Sequence, residues 1–61
     1  MKNTYLLKII NEDKQVLIEK MFHNLDELKK DYKKYVKERI IIKILSDKEL
    51  TKRLKLGEKI Y

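Results

Sequence analysis

Few side chains in this sequence could carry out acid–base, nucleophilic or metal chemistry. His23 is the only histidine, Ser46 is the only serine, and cysteine is absent. Both residues have a local structural explanation, because His23 precedes a predicted helix cap and Ser46 is itself a predicted cap. No second histidine and no thiolate is available to complete a metal site. We therefore expect no catalytic residue, no metal and no cofactor, and we predict that the protein is not an enzyme.

Two groups of carboxylates are close enough in sequence for general acid–base work: Asp26 with Glu27, and Asp47 with Glu49. Each group falls in the first turn of a predicted helix, where the helix dipole favours acidic residues whatever the function. The only glycine is Gly57, so the sequence contains no glycine-rich phosphate-binding loop. These carboxylates are explained by helix formation alone.

The charge of the chain is strongly positive and unevenly distributed. Sixteen basic residues against ten acidic ones give a net charge of +6. Seven basic and three acidic residues fall within 39–61. Such a segment attracts nucleic acid, anionic lipid or an acidic protein surface. Fourteen of the basic residues are lysine, a bias that an AT-rich genome also produces. Because arginine is the usual reader of guanine, we do not expect sequence-specific DNA recognition.

The candidate contacts with a partner are basic and aromatic residues on the two predicted helices. The predicted first helix has an apolar stripe of Leu25, Leu28, Tyr32 and Val36, in which Tyr32 is explained as a core residue. Tyr35 lies at the edge of this stripe beside several lysines. Aromatic side chains among lysines can stack on bases or contact a protein surface. The predicted partner-binding residues are Lys30, Lys34, Tyr35, Lys37, Lys52 and Arg53.

The sequence pattern predicts three strands and two helices. Alternating apolar residues indicate strands over 4–10 and 15–22, joined by a four-residue turn over 11–14. A helix over 25–37 begins after Asn24, and a β-branched run indicates a strand over 39–45. A second helix over 47–55 begins after Ser46 and ends near Gly57. A competing interpretation makes 54–56 and 59–61 a small hairpin around Gly57.

These elements predict an α+β fold: a small three-stranded sheet in ββαβ order, one amphipathic helix on one face and a short C-terminal helix. We expect residues 1–61 to form a single compact domain. The first strand should lie in the middle, antiparallel to both neighbours. Pairing Ile9 with Val16 and Leu7 with Ile18 fixes the predicted register of the first hairpin. The first helix should then cover one apolar face, which bears Tyr5, Leu7, Ile9, Val16, Ile18, Ile40, Ile42 and Ile44.

The opposite side of the sheet, which we call the reverse face, is too apolar to be fully solvated. It should carry Leu6, Ile10, Leu17, Met21, Ile41 and Leu45, interrupted by Lys8, Glu19 and Lys43. A cross-strand ladder of those three charges is one arrangement. The C-terminal segment, a second copy of the chain or a partner protein could cover the apolar part. The sequence leaves these three candidates open, with a homodimer and a monomer weighted equally.

In size and in its bias towards lysine and isoleucine, the chain resembles the small accessory proteins of bacterial phages and mobile elements. The resemblance is one of class, and no motif carries it. Such proteins often act by occupying the surface of a host protein, including defence enzymes. We therefore predict a non-enzymatic inhibitor or regulator that binds a protein partner. The alternative is sequence-independent binding of nucleic acid through a lysine-rich surface. With no long apolar run and no signal peptide, we expect no membrane span and a cytoplasmic location.

Overall fold

The computed structural model describes residues 3–61 and has the predicted α+β fold. Its strands are β1 (Tyr5–Ile10), β2 (Val16–Phe22) and β3 (Arg39–Ile44). Its helices are α1 (Leu25–Tyr32) between β2 and β3, and α2 (Asp47–Lys55) after β3. All five elements match the predicted order, and the second helix has the predicted bounds.

The sheet has the strand order β2-β1-β3, with β1 antiparallel to both neighbours. The middle position of β1 was predicted and is confirmed. Since α1 returns the chain to the end where β2 began, β3 runs in the same direction as β2 and fits the other side of β1. The pairing of β1 with β3 is regular from Tyr5–Ile44 to Ile10–Arg39.

The register predicted for the first hairpin is wrong, although the faces it implied are mostly right. Lys14 adopts a left-handed conformation with φ 63° and closes a turn in which its N–H donates to the carbonyl of Asn11. This turn and a bulge beside Ile9 each shift the pairing by one residue, so Ile9 faces Ile18 instead of Val16. Two one-residue shifts restore the alternation of side chains, so Ile18 stays on the predicted face. Val16 lies between the two shifts and faces Ile10, so its predicted place on the α1 face is wrong, and it is 48% exposed.

One core lies between α1 and the sheet. It consists of Leu7, Ile9, Phe22 and Leu28, with Tyr5, Ile18, Tyr32, Tyr35 and Ile40 packed around it. Asn24 caps α1 by accepting a hydrogen bond from the N–H of Asp26 at 2.8 Å. Because α1 packs mainly against β1 and β2, the outer strand β3 is poorly covered. The predicted burial of Ile42 and Ile44 is therefore wrong, with 45% and 58% of these residues exposed.

The helix α1 is also shorter than predicted and ends at Tyr32 instead of residue 37. A continued helix would place lysines four residues apart at 29 and 33, 30 and 34, and 33 and 37, where like charges repel. After the helix ends, Tyr35 still packs against the core, but Val36 is 91% exposed. The apolar stripe predicted for Val36 does not form.

A second core lies on the reverse face, under α2 and the C-terminal segment. It contains Leu6, Met21 and Leu45, with Leu50 and Ile60 packed against it. The α2 helix ends before Gly57, which has φ 86°. The following chain returns to β2, where Ile60 forms a parallel bridge with Met21. The alternative hairpin around Gly57 is thus wrong, because the last residues pair with β2 instead of with 54–56.

Candidate protein-interaction surface

The covered part of the reverse face is limited to one end of the sheet. Leu6 and Met21 are paired across β1 and β2, and both are buried. Leu50 of α2 and Ile60 pack over them and over Leu45. The C-terminal segment is therefore one of the three predicted coverings, and it covers only this end.

The rest of the reverse face, which we call the open half, is not covered by the apolar side chains of α2 or of the C-terminal segment. Two rows cross it, one with Glu19, Lys8 and Ile41, and the next with Val16, Ile10 and Arg39. Leu17 precedes Glu19 on the same face of β2 and is 45% exposed, while Ile10 and Ile41 are partly exposed. Neither of the two apolar cores found in the described chain includes these three residues. The open half thus presents isoleucine and leucine side chains to solvent.

Ion pairs fasten α2 to the sheet along the border of the open half. One Arg53 guanidinium nitrogen donates to Glu19 of β2 at 2.8 Å and to Glu58 of the C-terminal segment at 3.0 Å. These hydrogen bonds raise the pKa of Arg53 above its ordinary value. Glu19 also lies 4.0 Å from Lys8. Arg53 therefore connects three parts of the fold and is only partly accessible.

Lys43 is not part of the charge ladder predicted for the reverse face. It lies opposite Leu6, one row away from Lys8 and Glu19, and donates to Glu49 of α2 at 3.0 Å. This hydrogen bond is the main reason that the pKa of Glu49 lies below its ordinary value. The Ser46 hydroxyl accepts from the Glu49 N–H, which confirms Ser46 as the cap of α2. The ladder is thus reduced to Lys8 and Glu19.

A shallow recess of about 360 Å3 lies where α2 meets β2, beside the open half. Its lining includes Glu19, Glu49, Lys52, Arg53, Leu56 and Glu58. All three carboxylates in this lining are bound by Lys43 or Arg53. Among residues 3–61, neither Lys52 nor Arg39 forms an ion pair, and both are exposed. The recess and its surroundings therefore combine apolar side chains with uncompensated positive charge.

The predicted partner-binding residues lie on two sides of the sheet. Lys30, Lys34, Tyr35 and Lys37 belong to the α1 side, where Lys30 pairs with Glu27 at 3.3 Å. Lys34 and Lys37 are exposed, and Tyr35 is half-buried against the core. Lys52 and Arg53 lie on α2, across the sheet. The six residues do not form one surface.

The predicted partner-binding residues include none of the exposed aliphatic side chains, although Leu17 was expected on the reverse face. The exposed aliphatic residues of the sheet and of the end of α2 are Val16, Leu17, Ile42, Ile44, Leu54 and Leu56. The sequence of β3 indicated this exposure, because apolar residues occur on both faces of the strand. Burial of that strand on both faces would have required two covering layers, which a chain of 61 residues supplies only in part.

The only histidine of the chain, His23, has partners within the fold. His23 Nδ1 lies 3.4 Å from the Thr4 hydroxyl, and the His23 N–H donates to the carbonyl of Tyr61. In the described range 3–61, no group of three or more histidine, cysteine or acidic residues is arranged to hold a metal ion. No helix in that range has the length and hydrophobicity needed to cross a bilayer.

Comparison with known proteins gives no relative: no family model matches the chain, and no curated protein or solved structure is significantly similar to it.

Proposed function

We propose that this protein is a non-enzymatic protein-binding module that acts as a regulator or inhibitor by occupying the surface of another protein. The observation that supports the proposal is the open half of the reverse face. Leu17, Ile10 and Ile41 expose apolar area there, although the fold has a helix and a C-terminal segment available on that side. Exposed apolar side chains that are grouped on one face and bordered by polar residues commonly mark an interaction site.

The charge around the open half defines the kind of partner. The carboxylates beside it are neutralised by Arg53 and Lys43, whereas Arg39 and Lys52 are exposed without an ion pair in residues 3–61. A complementary partner surface therefore presents apolar side chains flanked by aspartate or glutamate. Burial of the apolar side chains supplies affinity, and the charges raise the association rate and fix orientation. Inhibition follows if that partner surface is also needed by another ligand.

The α1 side has a separate part in this proposal. Lys34 and Lys37 are exposed there and add to the positive field of the molecule without touching the open half. Long-range charge increases association rates more than it strengthens the final complex. Charge reversal at Lys34 and Lys37 should lower the association rate and leave the dissociation rate nearly unchanged.

The experiment compares binding by two variants with the same change in chemistry. Leu17→Asp places a carboxylate in the open half, and Val36→Asp places one at an exposed apolar residue on the other side of the molecule. The tagged wild-type protein is used to isolate a partner from cells of its source, and binding of the purified partner is then measured. We expect Leu17→Asp to weaken binding at least tenfold and Val36→Asp to change it little. Equal binding by both variants would refute the open half as the contact surface.

Nucleic-acid binding is a second candidate, favoured by one feature of α2. Lys48, Lys52 and Lys55 are exposed along this helix and form no ion pair among residues 3–61. Titration of a random duplex and a random single strand at low and physiological salt tests this function, because phosphate contacts weaken steeply with salt. If neither nucleic acid binds at either salt concentration, this second candidate is excluded.

A further inference from the structure

We propose that β3 pairs antiparallel with β3 of a second copy of this chain, which joins two three-stranded sheets into one six-stranded sheet. The proposal does not depend on the function proposed above. It rests on the open edge of β3, the direction of its backbone amides and the charges that the pairing brings together.

The two edges of the sheet differ in their protection. At the edge formed by β2, the Tyr61 N–H donates to the Met21 carbonyl at 2.8 Å, and the Tyr61 carbonyl accepts from His23. In the described chain, β3 pairs with β1 alone, so its outer edge has no partner. This strand contains no proline and no bulge, and four of its six residues are isoleucine. Regular, uncovered edges with many apolar residues are templates for pairing with another strand.

One hydrogen bond determines which amides of β3 point outward. The Leu45 N–H donates to the Thr4 carbonyl of the chain entering β1 at 2.9 Å. Because bonded and non-bonded pairs alternate along an antiparallel ladder, Lys43, Ile41 and Arg39 also direct their N–H and C=O groups towards β1. The outward groups therefore belong to Ile40, Ile42 and Ile44. These are also the residues whose side chains lie on the α1 face, where α1 leaves them partly uncovered.

The arrangement selects one register for the dimer. A two-fold axis perpendicular to the sheet keeps like faces together. One residue of β3 must therefore face its own copy across the axis, because neighbouring residues point to opposite faces and cannot be paired with each other. With the axis at Ile42, Ile42 faces its copy and Ile40 faces Ile44, and all three can exchange backbone hydrogen bonds. With the axis at Ile41, Arg39 faces Lys43 of the other copy, and like charges opposite each other are destabilising. The register centred on Ile42 avoids this contact.

The remaining charge at the edge is small enough for this pairing. In the preferred register Lys43 lies opposite Ile41, and its ammonium group is already bound to Glu49 at 3.0 Å. The net charge of +6 on each copy still opposes association at long range. Salt weakens the repulsion between the two copies, because exposed charges are screened beyond a Debye length of about 8 Å at physiological ionic strength. Added salt should therefore strengthen this dimer. The same two-fold axis would put both open halves on one side of the six-stranded sheet.

Disulfide trapping tests the contact and its register together, because the chain contains no cysteine. An Ile42→Cys variant should form a disulfide-linked dimer on mild oxidation, since paired residues of this type have Cα atoms about 5.5 Å apart, within the disulfide range. Ile41→Cys tests the rejected register, and Val36→Cys measures random collision at an exposed apolar residue. We expect Ile42→Cys to cross-link roughly tenfold faster than either control. Equal rates for all three, or a faster rate for Ile41→Cys, would overturn the proposal.

Sedimentation equilibrium of the unmodified protein provides a second measurement. We expect a monomer–dimer equilibrium that reaches twice the 7.5 kDa mass of the chain and shifts towards dimer as salt is added. Ile42→Lys should be monomeric with an unchanged circular dichroism spectrum, whereas Val36→Lys, with the same added charge, should still associate. A protein that stays monomeric at every concentration and salt level would disprove the pairing, as would a dimer unaffected by Ile42→Lys.

Discussion

Leu28 and Val36 provide the sharpest test of the fold, because they have similar sequence contexts and opposite environments. Both belong to the apolar stripe that predicts a helix over 25–37. In the structure Leu28 of α1 is fully buried between the helix and the sheet. Val36 lies beyond the end of that helix, with 91% of its surface exposed. Truncation of each to alanine therefore distinguishes the short helix from the long one.

The expected magnitudes differ severalfold. Leu28→Ala removes three buried carbon atoms, worth about 2.4 kcal/mol at about 0.8 kcal/mol each before any cavity is counted. The cavity left beside Leu7 and Ile9 brings the total loss to about 2–5 kcal/mol. A chain of 61 residues has a free energy of unfolding of about 3–9 kcal/mol. Leu28→Ala should therefore leave the protein marginally folded, whereas Val36→Ala should change stability by less than about 0.5 kcal/mol.

Urea denaturation followed by circular dichroism measures both variants. With a slope of about 1 kcal/mol per molar urea for so small a protein, Leu28→Ala should lower the midpoint by at least about 2 M. Val36→Ala should have nearly the wild-type midpoint and slope. If Val36→Ala loses more than about 1.5 kcal/mol, a magnitude typical of a buried residue, then the chain beyond Tyr32 packs as a helix and the placement of Val36 is refuted.

Three further predictions concern α2 and its attachments. Gly57→Ala should cost about 1 kcal/mol in urea denaturation, because the φ of 86° strains any L side chain although no atom lies within 4 Å of the added Cβ; an unchanged midpoint would contradict this conformation. Glu49→Gln should flatten the dependence of stability on pH. Since Lys43 lowers the folded pKa of Glu49, its contribution is present above the unfolded pKa of about 4.3 and is lost as the pH falls through the lowered value. Wild type and variant should therefore converge in acid, and a constant difference at all pH values would disprove the linkage. Arg53→Ala should cost about 1 kcal/mol, because it removes the hydrogen bonds that one guanidinium nitrogen donates to Glu19 and Glu58. Lys52→Ala, at an exposed neighbour, is its matched control and should be nearly neutral in the same urea titration.

The strands and their faces could be predicted from the sequence because side-chain alternation is a strong local signal. The order of the sheet also followed, since a helix after β2 leaves β1 the simplest middle strand. The register of the hairpin did not follow, because it depends on the left-handed conformation of Lys14 and on a bulge beside Ile9. Neither feature has a glycine to mark it, and lysine seldom adopts a positive φ.

The candidate surface could be predicted only in outline. The apolar residues of the reverse face were identified from alternation, but their covering depends on tertiary contacts of Leu50 and Ile60 with residues distant in sequence. Arg53 looked like a free basic residue because neither Glu19 nor Glu58 lies within one helical turn of it. Its role in fastening α2 is determined by the fold and has no local signature.

The attachment of α2 has a consequence for the native ensemble. The helix is held to the sheet by Leu50, the Arg53 ion pairs and the Lys43–Glu49 pair, with no fully buried side chain of its own. We expect residues 47–61 to detach as one cooperative unit at a lower free energy than global unfolding. Native-state hydrogen exchange should therefore show faster exchange for α2 amides than for the amides of β1. Each such opening would expose Leu6 and Met21. A transient form of the molecule therefore presents more apolar sheet surface for association than the fully folded form does.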